Sequence, residues 1–427
     1  MHFDYAKKDL PNGVRLRALP IPGSSTVTFA VLVGAGSRQE SAETSGIAHF
    51  IEHNVFKGTP LLPYSQAISN AIEGIGGINN AFTGYEFTGY WAKSAASKLD
   101  RLVFVVSDIF LNPLFPGKDL EIERGNVIEE LNMYEDQPME KVEQEFLSLV
   151  FKGHPLGQKI VGTKENLQRF SKADLEKFRS EFYDPKRVVV IAAGDLDSSS
   201  FFNLVEPIFK DFNLGQKFSE IPYVTSQAGL QVKVINRKLD QAHLYLGWRG
   251  LDDNDERAEI LEVANDILGG GMASRLFNKI RDQLGLAYYI RSNAESFKDT
   301  GLWTASAGVT VDRYQEALVA IVTEFKNIAI SGVTEAELTR SKEHLKGILA
   351  LSLETSDKVM NYYGLQELTR QKLETPEETI AKIDAVTLED IQTLASELIK
   401  NSKLTVCLLG PFDEALETAR IQEILSK

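Results

Sequence analysis

The chain has 427 residues, of which 43% are hydrophobic and 25% are charged, as in soluble globular proteins that form two or more domains. Its net charge of −14 argues against nucleic acid or an anionic membrane surface as the main partner. The first residues form no apolar signal segment and no apolar run reaches the length of a membrane span, so we expect no membrane span and a cytoplasmic location.

The first half contains a predicted strand followed by a predicted helix with candidate metal ligands. Residues Thr26–Val33 alternate in character and are rich in β-branched side chains, as strands are. The helix contains His49 and His53, whose four-residue spacing puts both imidazoles on one face, where they can bind one metal ion. Glu52 can point at a remaining coordination position. This H-x-x-E-H arrangement is the reversed zincin pattern, with two zinc ligands and a general base.

The other four histidines lie in no cluster, and we expect each to be structural or on the surface. They are His2, His154, His243 and His344. A hydrolytic zinc site needs a third protein ligand and an open position for water, and we expect this ligand on another helix of the same domain.

A second predicted helix, at residues 119–134, offers the third ligand. Glu123 and Glu130 are two helical turns apart and share a face. Glu130 could bind the metal while Glu123 accepts a hydrogen bond from a ligand histidine. Glu129 is the alternative ligand, and an acidic helix face exposed to solvent is the alternative interpretation of the whole stretch.

The remaining pattern predicts the fold class. Further strands are predicted at 87–93 and 302–309, and further helices at 95–111 and 313–330. Each half runs from strands to helices and back to strands. We therefore predict an α+β fold in which each half forms a mostly antiparallel sheet with helices packed on one face.

Three short segments recur in the same order at nearly the same spacing, which indicates an internal duplication. The pairs are 31–34 with 244–247, 88–91 with 300–303, and 188–194 with 404–410. We therefore predict two homologous domains, at 1–214 and 229–427. Residues 215–228 mix proline with polar residues and form the predicted linker.

The second copy lacks the metal motif. The positions that correspond to the H-x-x-E-H triad are Leu261, Ala264 and Asn265, which form no zinc site. Because the second copy dispenses with the triad, the fold does not require it. The triad is therefore interpreted as functional rather than structural.

Residues 46–59, G-I-A-H-F-I-E-H-N-V-F-K-G-T, resemble the signature of the pitrilysin/insulysin/mitochondrial-processing-peptidase family of zinc peptidases, in its half-length bacterial form. The resemblance extends over the whole chain. In that family the third ligand is the last glutamate of an E-R-x-x-x-x-x-E stretch, which here is Glu130. The resemblance thus implies one Zn²⁺ per chain, held by His49, His53 and Glu130, with Glu123 beside them. Asn54 departs from the apolar residue usual in the family, and we expect only a change in packing.

The resemblance implies two further functional segments. One is a substrate-binding edge strand made of Asn79, Asn80, Ala81, Phe82 and Thr83. The other contains Arg281 and Tyr288, seven residues apart, as an arginine that binds substrate backbone and a tyrosine that stabilises the oxyanion. Tyr289 is adjacent, and the spacing favours Tyr288.

The implied activity is that of a metalloendopeptidase for short or unfolded peptides, in which zinc-bound water is the nucleophile and Glu52 the general base. The substrate would add as a strand to the edge at 79–83. The resemblance also implies a clamshell dimer around a chamber: a homodimer, or a heterodimer with a degenerate homologue. The alternatives are a non-catalytic assembly subunit and a structural zinc protein, which would need four ligands where we find three.

Overall fold

The computed structural model describes residues 3–215, 220–225, 227–400 and 403–426. The strands are β1 (Ala6–Asp9), β2 (Arg15–Pro20), β3 (Thr26–Val33), β4 (Ile78–Thr83), β5 (Thr88–Ala95), β6 (Val188–Gly194), β7 (Gln231–Asn236), β8 (Gln241–Gly250), β9 (Ala287–Phe297), β10 (Thr300–Thr310) and β11 (Thr405–Gly410). The helices are α1 (Ile47–Asn54), α2 (Ser65–Glu73), α3 (Leu99–Leu111), α4 (Gly117–Asp136), α5 (Pro138–Val150), α6 (Lys164–Arg169), α7 (Lys172–Phe182), α8 (Ser198–Phe209), α9 (Ala258–Gly269), α10 (Tyr314–Ser331), α11 (Glu335–Ser352), α12 (Ser356–Thr369), α13 (Pro376–Ala385), α14 (Leu388–Leu398) and α15 (Glu414–Ser426).

The predicted elements are confirmed, with small shifts at their ends. The strand predicted at 26–33 is β3 without any shift. The other matches are 87–93 with β5, 302–309 with β10, 95–111 with α3, 119–134 with α4 and 313–330 with α10. The largest shift is at the start of α3, where Ala96–Lys98 forms a 3₁₀ turn that a helical pattern does not distinguish from the α-helix itself.

Two sheets with the same strand order confirm the predicted duplication and the α+β class. One sheet has six strands in the order β1-β2-β6-β3-β5-β4, and the other has five in the order β7-β11-β8-β10-β9. Both are antiparallel except for one pair each, β2 with β6 and β7 with β11. The repeated segments lie on β3 and β8, on β5 and β10, and on β6 and β11.

The repeated segments 88–91 and 300–303 lie on equivalent strands, but the residues matched in sequence point to opposite faces of their sheets. Trp303 is fully buried in the core that covers one face of the second sheet. In the first sheet the corresponding core contains Tyr90 and Ala92, so alternation along β5 puts Trp91 on the opposite face. The segments 88–91 and 300–303 therefore mark equivalent strands, but their tryptophans are not equivalent positions.

The chain packs into two compact units whose limits differ from the predicted domains. The first takes its described residues from 1–133, 158–221 and 350–375, and the second from 134–157, 222–349 and 376–427. Each sequence half thus contributes one helical segment to the other unit, α5 to the second and α12 to the first. In the predicted linker the described residues form no helix or strand, while 216–219 and 226 lie outside the described residues.

The exchanged helices cover the sheet faces that the local helices leave open. In the first unit α3 packs on β3 and β5, in the core that contains Phe29 and Val31. α12 packs on β3 and β6 from the other face, where Thr28 and Ser356 share a hydrogen bond of 2.8 Å. In the second unit α5 packs on β8 and β11. A strand that is apolar on both faces needs a packed layer on each face. The sequence of the strand does not tell which helix forms the second layer.

Among the described residues no single helix combines the length and apolar composition of a membrane span. One helix pair, Val311–Ser331 with Glu335–Ser352, has this length and composition when its two helices are counted together, and the two are bent by 108°.

The close approach of α12 to β3 gives a test of the exchanged packing. A Cβ atom at Gly364 would lie 2.5 Å from Leu32 Cδ1, so Gly364→Val overpacks this contact. We expect a loss of about 1–3 kcal/mol in the free energy of unfolding, measured by urea denaturation.

Gly347→Val is the matched control, because Gly347 is an exposed residue of α11 and nothing among the described residues lies within 4 Å of a Cβ there. Equal stability of both variants would contradict the close packing of α12.

Candidate metal centre

The helix with the candidate ligands is fixed at its N-terminus by a buried carboxylate. α1 begins after Gly46, which has a φ of 99°. A Cβ atom at this position would lie 2.6 Å from Val161 O. Both the angle and the lack of space require glycine. Glu40 accepts hydrogen bonds from the backbone N–H groups of Gly46 at 2.8 Å and Ala48 at 2.9 Å. Burial raises the pKa of Glu40, and these bonds oppose the rise. They satisfy N–H groups that the helix itself leaves free.

Three side chains bring possible metal-binding atoms together. Glu130 Oε2 lies 3.7 Å from His49 Nε2 and 3.4 Å from His53 Nε2, and one ligand atom from each residue lies within 4.8 Å of the others. Two donors bound to a tetrahedral Zn²⁺ at about 2.1 Å lie about 3.4 Å apart. The donor set therefore fits a zinc ion. Glu129 is exposed and does not belong to this group.

A second carboxylate orients one histidine. His53 Nδ1 lies 3.3 Å from Glu123 Oε2, and Glu123 Oε1 accepts from Lys57 at 2.7 Å and from Asn126 at 3.1 Å. Glu123 is only 5% exposed. Burial would raise the pKa of Glu123, but the bonds from His53 and Lys57 outweigh it and lower the pKa to about 2. The carboxylate thus holds one proton of His53 on Nδ1, so Nε2 is the nitrogen that can bind a metal once its own proton has left.

The two imidazoles differ in charge when no metal is bound. Burial, followed by the nearby His53, lowers the pKa of His49 to about 4. Burial also acts to lower the pKa of His53, but hydrogen bonds with Glu123 and Glu130 outweigh it and raise the pKa to about 9. The protonated His53 supplies a positive charge among the carboxylates. A bound divalent metal would supply this charge instead. The buried Nδ1 of His49 has no hydrogen-bond partner among the described residues.

Glu52 lies beside this group and is held by the neighbouring strand. Thr83 Oγ1 donates a hydrogen bond of 2.6 Å to Glu52 Oε2. Burial raises the pKa of Glu52 above its usual range, and the bond from Thr83 opposes the rise. A carboxylate with a raised pKa accepts a proton more readily, as a general base must.

The predicted edge strand is β4, the last strand of the first sheet. It pairs with β5 on one side, and no described strand pairs with its other side. Asn79 and Asn80 are exposed, Ala81 is buried, and Phe82 and Thr83 are half-buried. An open edge of this kind can accept an extended peptide through its main chain.

The predicted arginine and tyrosine lie in the second unit, in irregular backbone. Arg281 is exposed in a π-helical segment, Phe277–Gln283, with its guanidinium 4.8 Å from the ring centre of Phe277. Tyr288 is 76% exposed and lies at a register shift of β9, whose neighbours pair without it. Tyr289 instead shares a hydrogen bond of 3.1 Å with His243. π-helices and bulges recur at functional sites, and the exposed hydroxyl of Tyr288 is the more available of the two.

The remaining histidines lie outside the metal group, as predicted, in the part of the chain that the structure describes. His154 and His243 are buried, and His344 forms a hydrogen bond of 2.7 Å with Asp266. His2 lies outside the described residues. Asn54 is fully buried and donates to Phe50 O at 2.7 Å, and the packing change expected of this residue stays a prediction.

Three contributions to the site were missed from the sequence. Glu40 fixes the start of α1, Lys57 neutralises Glu123, and Thr83 holds Glu52. Lys57 follows His53 by four residues, a spacing at which side chains meet on a helix, so its proximity could have been inferred. The contacts of Glu40 and Thr83 depend on how the chain folds back, and no local spacing indicates them.

Comparisons with known proteins agree along the chain. Residues 20–164 match the family model of Insulinase (Peptidase family M16), and residues 169–345 match that of the Peptidase M16 inactive domain. An uncharacterized zinc protease of Bacillus subtilis is 36% identical over 94% of this chain and 97% of its own length. An uncharacterized zinc protease of Mycobacterium leprae is 34% identical over 94% of this chain and 91% of its own length. A protease from Helicobacter pylori has a similar fold, with a TM-score of 0.89 and 24% identity over 96% of this chain and all of its own.

The metal group gives a test that separates Glu130 from Glu129. We expect Glu130→Gln to weaken zinc binding by more than about 100-fold, the upper end of the loss caused by removing an outer hydrogen-bond partner of a ligand. Glu129→Gln is the matched control and should bind zinc as the wild type does. Competition with a chromophoric chelator measures both affinities, and the reverse order would identify Glu129 as the ligand.

Proposed function

Since the chain belongs to the M16 family of peptidases, whose models match both of its halves, we propose that it is a zinc-dependent endopeptidase for short or unfolded peptides. Relatives that are named zinc proteases and align along nearly the whole chain support this proposal. The observation that carries it is the group of His49, His53 and Glu130, in which the Glu130 oxygen lies 3.7 and 3.4 Å from the two Nε2 atoms, with Glu52 beside them.

One Zn²⁺ per chain would be held by His49 Nε2, His53 Nε2 and a carboxylate oxygen of Glu130. When bound, the ion lowers the pKa of a coordinated water and polarises the peptide carbonyl. Glu123 keeps the proton of His53 on Nδ1 and so keeps Nε2 turned to the metal. Three protein ligands leave a position open, as catalytic rather than structural zinc sites do.

Glu52 acts as the general base. It takes a proton from the attacking water and passes this proton to the amine that leaves when the peptide bond breaks. Its raised pKa, caused by burial, favours the first transfer, in which the carboxylate accepts the proton. The amine leaves as a neutral group, and the water oxygen with its second proton ends in the new carboxyl group, which then ionises to solvent.

The substrate binds as an additional strand on the open edge of β4, at Asn79, Asn80, Ala81, Phe82 and Thr83. Main-chain hydrogen bonds would supply the affinity, so the site tolerates many side chains. Arg281 and Tyr288 are proposed to bind the substrate backbone and to stabilise the oxyanion. Their exposure in the second unit leaves both side chains available to a ligand.

We propose further that the active form is a homodimer closed around a chamber, which would admit short or unfolded peptides. A heterodimer with a degenerate homologue is the alternative assembly. The cytoplasmic location stays a prediction from the sequence.

Removal of the base tests the proposed chemistry. We expect Glu52→Gln to retain stoichiometric zinc and to lose at least about 100-fold in turnover of a mixed-sequence fluorogenic peptide library, since positioned general bases contribute this much. Glu73→Gln makes the same exchange at an exposed site on α2 and should leave turnover unchanged. A wild-type protein that binds zinc stoichiometrically and cleaves none of the peptides would instead indicate a non-catalytic assembly subunit.

A further inference from the structure

We infer that Thr83 is a positioning residue for the general base Glu52, an inference that rests on the proposed function. Thr83 is the last residue of β4 and pairs with Thr88 of β5. Its hydroxyl donates to Glu52 Oε2 at 2.6 Å. A side chain of the edge strand thereby holds a side chain of the helix that carries the metal ligands.

This bond gives the two carboxylate oxygens of Glu52 different roles. Among the described residues Thr83 is the hydrogen-bond partner of Glu52, and Oε1 accepts no bond. A glutamate side chain that nothing holds samples several rotamers, whereas a general base must stay within hydrogen-bond reach of the proton that it takes. Thr83 fixes Oε2 and keeps its own proton, so Oε1 is the oxygen that receives the proton of water.

In the second sheet a hydroxyl at the equivalent position also bonds the facing helix. With 31–34 matched to 244–247, the strand pairing puts Ser292 of β9 where Thr83 lies in β4. Ser292 is buried and donates to Asn265 O, a main-chain oxygen of α9, at 3.1 Å. The acceptor is a side-chain carboxylate in the copy with the proposed base and a backbone carbonyl in the other.

The position of Thr83 also connects substrate binding to the base. The strand that ends at Thr83 exposes Asn79 and Asn80 on the edge where the peptide is proposed to add. A peptide paired with this edge would restrict the motion of β4, and Thr83 would pass that restriction to Glu52. Because the edge is proposed to bind the peptide through its main chain, the side-chain hydroxyl of Thr83 acts in the chemical step rather than in substrate affinity.

Two substitutions at one position test this inference. Thr83→Val replaces the hydroxyl with a methyl group of similar size, and we expect kcat to fall about 10- to 100-fold, as misplaced catalytic groups do. KM and zinc content should change little. Thr83→Ser restores the hydroxyl and should restore most of kcat. Thr310→Val, at the exposed end of β10, is the control for the exchange itself.

A double variant separates positioning from general structure. In the Glu52→Gln background, Thr83→Val should cause no further loss, because groups that act as a unit are not additive; a structural role would slow the residual reaction again. Full kcat in Thr83→Val, or a serine variant as slow as the valine variant, would overturn the inference alone. A wild type without peptidase activity would overturn the proposed function, and the inference with it.

Discussion

Two imidazoles and several carboxylates are gathered in a largely buried place, and most of the local structure serves to hold them there. Each loses hydration, and specific partners compensate the carboxylates. Glu123 is balanced by Lys57 and His53, while Glu52 accepts a hydrogen bond from Thr83. Without metal, the proton of His53 supplies the positive charge. A divalent ion that displaced it would bind donors already in place, so little reorganisation would oppose binding.

The duplicated fold shows what this arrangement adds to a sheet that is stable without it. Both sheets have the same strand order, and α9 stands where α1 does. In α9 the buried Asn265 accepts a hydrogen bond from Trp303 Nε1 at 3.2 Å, so this helix contributes a polar contact to the interior instead of a metal ligand. The copy with the metal group also has Glu40 at its helix start and Thr83 at its strand end.

Local patterns predicted the elements well, because alternation and helical spacing are local properties. β3 and the histidine spacing on α1 could be identified from adjacent residues, and the pairing of the histidines with Glu130 needed only the resemblance. The exchange of α5 and α12 could not be predicted, because an apolar strand face shows that it is covered but not by what. The opposite faces of Trp91 and Trp303 depend on register, and the contacts of Glu40 and Thr83 depend on tertiary packing.

X-ray diffraction from crystals of the zinc-loaded protein, recorded on both sides of the zinc absorption edge, would show whether His49, His53 and Glu130 hold a catalytic zinc ion. We expect one anomalous peak per chain, bonded to His49 Nε2 and His53 Nε2 at about 2.0–2.1 Å and to Glu130 at about 2.0–2.2 Å. Glu52 should remain unbound to the ion and hydrogen-bonded to Thr83. A peak at another place, or a site closed by a fourth protein ligand, would contradict a catalytic metal centre.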